Sequence, residues 1–462
     1  MKASPTSSNR KLIEKIKELF KIDKTSVESV KAKSDDNNRK TKRFEPHEFV
    51  KYIEQQESFF KHAEELYKWN GHVFESIPYC DIADTAYRWL VSNESFVASD
   101  VNARACVMAL VRNVETLPEK DKAIIACKNA YLRIRADGIE ILPPSQEFGI
   151  RHVLNCDYQP ERRQSRYFDK FVTEILPDTD VRNRVQEYVG SSLATGLSLG
   201  KMQLWIGSGA NGKSCLARVV KALHSNIAAL RLNDLDGFSL AEAVDASLLY
   251  CDELPTFGLH EETLKALITG EPLRINRKHK SAITACVTAR IIAMGNVLPS
   301  IKDNSDGVWR RIEVVPFDQH VGPEKIDPFL ADRIIAEDLS GVLNWALEGL
   351  SRVMKRGFKL ESSIPLKMET ALLRTRAESD SIYAWLLEEP VAIVDRPHTP
   401  KGIIYNEYQL WCKHGQIRAL NVVQFWKAMR KAIPNLEADH RPRVNGGAQV
   451  TCCNLKLSRK SC

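Results

Sequence analysis

No stretch of the 462-residue chain is apolar for long enough to span a bilayer. The opening residues, Met1 to Pro5, run into polar sequence without the apolar core of a secretory leader. These two absences exclude a helical membrane protein and make a cytoplasmic location, with no membrane partner, the expectation. No Cys-x-x-Cys pair occurs among the eleven cysteines, an odd number, so reduced, buried thiols are expected in place of disulfides or zinc ligands. Cys452 and Cys453 are adjacent and are expected on opposite faces of a strand. No internal repeat is evident, and the excess of positive charge is small: +7 is compatible with a nucleic-acid partner without arguing for one. What remains is an ordinary globular composition, 44% hydrophobic and 27% charged, in a chain too long for a single core, so about two to four domains are expected.

The chain is organised around Gly207, Ser208, Gly209, Ala210, Asn211, Gly212, Lys213 and Ser214, which fit the phosphate-loop pattern G-x-x-x-x-G-K-[ST]. Residues 202–206 before it form a short apolar run that suits a buried strand. Leu216, Val219, Val220 and Leu223 after it recur at helical spacing. Strand, glycine loop and helix in that order aim backbone N–H groups and a helix N-terminus at a polyphosphate, with Lys213 adding a point charge and Ser214 a hydroxyl for a magnesium ion. The alternative is a glycine turn before an ordinary amphipathic helix.

On either side, composition divides the chain. Residues 1–43 read as a polar arm rich in Lys, Ser, Asp and Asn, either a solvated tail or a tether for nucleic acid or a partner. Residues 44–190 read as a mainly helical domain, with Phe49, Ile53, Phe59, Phe60 and Leu66 at three- and four-residue spacing. A hairpin is expected at 131–142 around Asp137 and Gly138. Strands and helices alternate over 191–325, which predicts an α/β domain with a largely parallel sheet. A helical connector covers 326–378. Residues 379–462 read as three helices and a β wing turning at Asn445 to Gly447, a winged-helix-like unit. Its third helix carries Lys427, Arg430 and Lys431, for which duplex DNA or a protein is a plausible partner.

Hydrolysis requires more than a cradle. Residues 247–253 form an apolar strand ending in Asp252 and Glu253, which puts one carboxylate where it can hold a hydrated metal and the other where it can act as general base on water. A third strand, 289–296, ends on Asn296, whose amide can contact a γ-phosphate or the attacking water. Arg310 and Arg311 follow Trp309, and a guanidinium delivered from a neighbouring subunit would stabilise charge on the transferred phosphoryl group. Pairing with local acids is the alternative for these arginines.

In this order the motifs resemble superfamily 3 helicases, in particular the helicase part of phage, plasmid and poxvirus primase-helicases. The likeness covers roughly 131–317 and includes the lead-in at 168–178. The resemblance implies an AAA+ P-loop core with a collar-like helical domain before it, assembled as a homo-hexamer that hydrolyses ATP with Mg2+ and moves DNA through its central channel. It implies ATP and magnesium at Lys213 and Ser214, metal ligation and water activation at Asp252 and Glu253, γ-phosphate sensing at Asn296, and a finger at Arg310 or Arg311. It also implies a channel hairpin at 273–287 whose Lys278, His279 and Lys280 grip a single strand by its phosphates. No primase domain is recognisable ahead of the core, so priming is not expected of this polypeptide, and a separate primase is one candidate partner. The function expected is an ATP-dependent DNA helicase in replication of a phage, plasmid or virus-like element. An ATP-controlled origin-recognition protein that does not unwind is the alternative from another class, and a small-molecule P-loop kinase is a third.

Overall fold

The computed structural model describes residues 44–457 except 63–64, 94–96, 136–137, 163, 256–258, 278–279, 297–305, 323, 325, 390, 396–398, 434 and 442–448. The chain divides into two compact units. The first holds residues up to Ser58, Glu64–Leu66 and Ile77–Val114; the second holds the remainder.

In the first unit, helices Pro46–Glu54, Tyr79–Asn93 and Asp100–Asn113 bury Phe49, Ile53, Ala86, Leu90, Val107 and Leu110. Ser99 starts the third helix by accepting a hydrogen bond from the Asn102 N–H at 3.2 Å. The helical reading of Phe59, Phe60 and Leu66 fails: these residues lie in strands Phe59–His62 and Glu65–Trp69. Phe60 pairs with Glu115 in a parallel ladder, a long-range partner that overrides a local spacing too short to specify a helix.

The second unit is built on a five-stranded parallel sheet. Helices α1 (Phe168–Ile175) and α2 (Thr179–Leu193) lead into β1 (Met202–Ile206), followed by α3 (Lys213–Leu223), β2 (Ile227–Ala229), β3 (Leu248–Cys251) and α4 (Glu261–Thr269). A hairpin, β4 (Pro272–Arg277) and β5 (Lys280–Cys286), precedes β6 (Arg290–Gly295) and β7 (Ile312–Pro316). Across the sheet the order is β7-β1-β6-β3-β2. The alternation of each strand sorts its residues to two faces: Trp205, Ile292, Met294 and Val315 join the core with α2 and α3, while Leu204, Ile291, Ala293 and Val314 join the core with α4. The lead-in helices therefore share the sheet's own core. At β7, Glu313 is buried and bonded by Arg184 of α2 (2.5 Å) and Gln203 of β1 (3.3 Å), a buried charge pair whose remaining lone pairs are met.

Beyond β7, Ile334–Asp338 form one π-helical turn running into α5 (Leu339–Lys355), followed by α6 (Leu366–Ser379). Buried Asp338 accepts backbone N–H bonds from Tyr167 (2.6 Å) and Phe168 (3.0 Å), so the start of α1 is capped by a residue 170 positions away. Gly349 lets α5 cross α2 closely, because a Cβ there would lie 2.3 Å from the Gln186 carbonyl oxygen.

The last part of this unit comprises α7 (Ser381–Glu388), α8 (Lys401–His414) and α9 (Val422–Ala432) with two short antiparallel ladders, 391–393 with 455–457 and 399–400 with 452–453. Trp385, Tyr408, Phe425 and Met429 fill its core. Both Cys452 and Cys453 are fully buried, so this strand is covered on both faces. Cys80 and Cys286 depart from the expectation of burial and are exposed. The hairpin at 131–142 is present as Tyr131–Ile134 paired with Ile139–Leu142. The wing turn at 445–447 lies outside the described residues. Among the described residues no helix is long and apolar enough to cross a membrane, and none of their His, Cys, Asp and Glu side chains form a metal-binding group of three or more.

Candidate active site

Five parallel strands end along one edge, and with β6 inserted between β1 and β3 the loops after all three open into the same space, as in other open parallel sheets. After Ile206 the chain turns through Gly209 (φ 102°), Ala210 (φ 47°) and Gly212 (φ 80°) before α3 begins at Lys213. Positive φ at these positions re-aims successive peptide N–H groups. No side chain caps α3, whose N-cap is Gly212, so its first-turn N–H groups remain open to a ligand. Gly212 has a second constraint: a Cβ would lie 2.5 Å from Cγ2 of Ile175 on α1. Gly212→Ala is therefore expected to introduce about 1–3 kcal/mol of strain, lowering both the melting temperature and nucleotide affinity, as a thermal melt and a nucleotide titration would read.

The Lys213 side chain is 6% exposed, and this burial pushes its pKa down. Its ammonium donates to the carbonyl oxygen of Gly207 (2.7 Å) and to Oδ1 of Asn211 (2.9 Å), both neutral. Asn211 in turn donates from Nδ2 to the carbonyl oxygen of Phe317 at 3.1 Å, tying the loop to the end of β7. A buried cation held only by neutral acceptors favours an incoming anion.

A cavity of about 860 Å³ lies over the loop, and Lys213, Ser214, Asp252, Glu253 and Asn296 all line it. These five side chains come from three separate sequence segments, and the fold brings them to one place. Asp252 is paired with Lys221 of α3, whose ammonium lies 3.1 Å from Oδ1 and 4.1 Å from the Tyr250 ring centre. No sequence motif marks that partner. Because Asp252 is 58% exposed, such a pair is worth only about 0–1 kcal/mol and does not prevent the carboxylate from taking a hydrated cation.

Sequence reasoning also missed two walls of the cavity. Phe171, Glu174 and Ile175 come from α1, and Gln319, His320 and Val321 follow β7, held to the loop by the Val321 N–H donating to the Ala210 carbonyl at 2.8 Å. The amphipathic pattern of α1 marks its buried face but not what that face covers, which only the packing against Gly212 decides.

Arg310 and Arg311 are not at this cavity. The Met202 N–H donates to the Arg311 carbonyl (2.9 Å) and the Lys201 ammonium to the Arg310 carbonyl (2.6 Å), which fixes the pair beside the beginning of β1, opposite the end that feeds the loop. Arg310 is exposed; Arg311 donates from Nη1 to the Gly307 carbonyl. Lys278 and His279 lie outside the described residues, in the connection between β4 and β5. Lys280 begins β5, opposite Arg277.

The family model described as a family of unknown function, DUF5906, matches residues 205–311, the span from the end of β1 to the arginine pair. Among curated proteins, "Putative primase C962R" of African swine fever virus (strain Badajoz 1971 Vero-adapted) is 20% identical over 330 residues, 65% of this chain and 34% of that protein. "Putative helicase 121R" of Invertebrate iridescent virus 3 is 23% identical over 344 residues, 63% of this chain and 36% of that protein. The chain resembles viral-type superfamily 3 helicases. Its match spans about a third of the length of these relatives. In fold it is similar to the apo NrS-1 C-terminal region, with a TM-score of 0.52 and 11% identity, covering 89% of this chain and 99% of that one.

Proposed function

We propose that this chain is an ATP-dependent DNA helicase of the superfamily 3 type, with an AAA+ core, acting in replication of a viral or virus-like element. The observation that carries this reading is the convergence of Lys213, Ser214, Asp252, Glu253 and Asn296 on one cavity at the C-terminal edge of the parallel sheet. The residues fit ATP. The loop backbone and Lys213 bind the β- and γ-phosphates, Glu253 accepts a proton from the attacking water, and Asn296 orients that water or the γ-phosphate. Ser214 and Asp252 would hold Mg2+, whose contribution is to neutralise phosphate charge. Among the described residues that line the cavity there is no arginine, which supports completion by a neighbouring subunit in a ring.

The C-terminal unit supports a winged-helix reading, with α9 as the helix facing duplex DNA. Arg430 on α9 pairs with Asp439 at 2.7 Å, which reduces what it can offer a phosphate, while Lys427 is exposed.

The deciding experiment measures ATP hydrolysis with and without single-stranded DNA alongside unwinding of a forked duplex. DNA-stimulated hydrolysis with strand displacement supports the helicase; nucleotide-dependent DNA binding without displacement supports an ATP-controlled origin-recognition protein. For the β4–β5 connection, Lys278→Ala combined with His279→Ala is expected to weaken DNA binding, and the salt slope on single strands should fall by about 0.7 for each phosphate that is no longer neutralised. Unwinding should be abolished and DNA-independent ATPase retained. Unchanged unwinding would remove this connection as the DNA-gripping element.

A further inference from the structure

The turn that carries the arginine pair is clamped from two directions. On one side the backbone of Arg310 and Arg311 accepts bonds from Lys201 and Met202. On the other, the guanidinium of Arg376, on α6, sits 5.2 Å from the ring centre of Trp309, the residue immediately before Arg310. The same guanidinium lies 4.6 Å from the ring centre of Tyr383 and donates from Nη1 to its hydroxyl at 2.8 Å. Trp309 is 5% exposed, packed in the core with α4, so its ring cannot move without disturbing the turn. Tyr383 belongs to α7, the first helix of the C-terminal unit. One planar cation therefore touches an aromatic ring from the arginine-bearing turn and another from the C-terminal unit. Arginine suits this place because its flat, delocalised charge can stack on rings and donate in its plane together, which the compact ammonium of lysine cannot.

We infer that Arg376 is a positioning residue: it holds the Trp309 turn so that Arg310 is presented outward, with Arg311 drawn back onto the Gly307 carbonyl, and it makes that presentation depend on where α7 of the C-terminal unit sits. This rests on the reading of the arginine pair as completing a neighbour's site. Nothing about Arg376 places it at its own subunit's cavity, so its loss should leave nucleotide binding alone and act on turnover in the adjacent subunit.

The test uses the full chain, with folding checked by circular dichroism and a thermal melt. Arg376→Ala is expected to lower kcat about 10- to 100-fold, the cost of displacing a positioned group by about an ångström, with KM for ATP within about twofold of the parent. Tyr383→Ala, which removes the clamp on the C-terminal side while leaving the arginine, should lower kcat in the same direction and serves alone if Arg376→Ala does not fold. Mixing either variant with Lys213→Ala subunits should restore part of the activity, because the defective arginine turn is then bypassed by an intact one. A folded variant with unchanged kcat, or a loss of kcat that mixing does not relieve, overturns the inference. If instead the double variant Arg310→Ala, Arg311→Ala keeps full turnover, it is the reading of the arginine pair that has failed.

Discussion

Replacing Glu253 by glutamine should leave ATP binding within about twofold of the parent protein and lower turnover by about 10²- to 10⁴-fold, the range contributed by a general base. Lys213→Ala should do the opposite first: nucleotide affinity falls by about 10- to 100-fold, since a hydrogen bond to a charged group is worth about 1.5–3 kcal/mol. The contrast follows from the placement of the two side chains. Lys213 is buried at the start of α3 and donates to neutral oxygens that an anionic phosphate would outcompete, whereas Glu253 lies exposed at the end of β3 on the same cavity. Titration with a fluorescent ATP analogue measures the first property and a phosphate-release assay the second. Equal losses of binding in both variants, with folding intact, would contradict these roles.

The double variant Arg310→Ala, Arg311→Ala should lose about 10³- to 10⁵-fold in turnover, the range associated with arginine fingers, yet regain activity when mixed with Lys213→Ala. Each variant then supplies what the other lacks. The proposed finger role calls for a neighbour, because the pair sits beside the first residue of β1 while the loop follows its last, and a five-residue strand separates the two by about 16 Å. In randomly mixed rings about a quarter of interfaces would join an intact cavity to an intact arginine turn. Activity in the mixture above that of either variant alone is the expected reading. A parent protein fully active as a monomer would exclude the arrangement.

The local signals were legible where the chain satisfies them locally. The phosphate loop, the hairpin at 131–142 and the three core strands all follow from glycine placement and apolar periodicity, and each lies within a residue or two of its expected span. The strands at 59–69 were not legible as such, because Phe59, Phe60 and Leu66 fit a helical spacing and only the pairing of Phe60 with Glu115 chooses between the two. The cap on α1 is similarly invisible: Asp338 acts on Tyr167 and Phe168 across 170 residues. Nor does any motif announce Lys221, which meets Asp252 only because α3 runs beside β3.

Sequence alone singled out the residues proposed to carry the chemistry, since a phosphate cradle, a metal-binding carboxylate, a base and a polar sensor each need a particular residue type at the end of an apolar strand. Tertiary structure decided where they lie. The insertion of β6 between β1 and β3 gathers Lys213, Glu253 and Asn296 into one cavity, and the parallel run of the strands sends Arg310 and Arg311 to the opposite edge. Strand order is set by burial of both sheet faces over long sequence separations, and no local pattern encodes it.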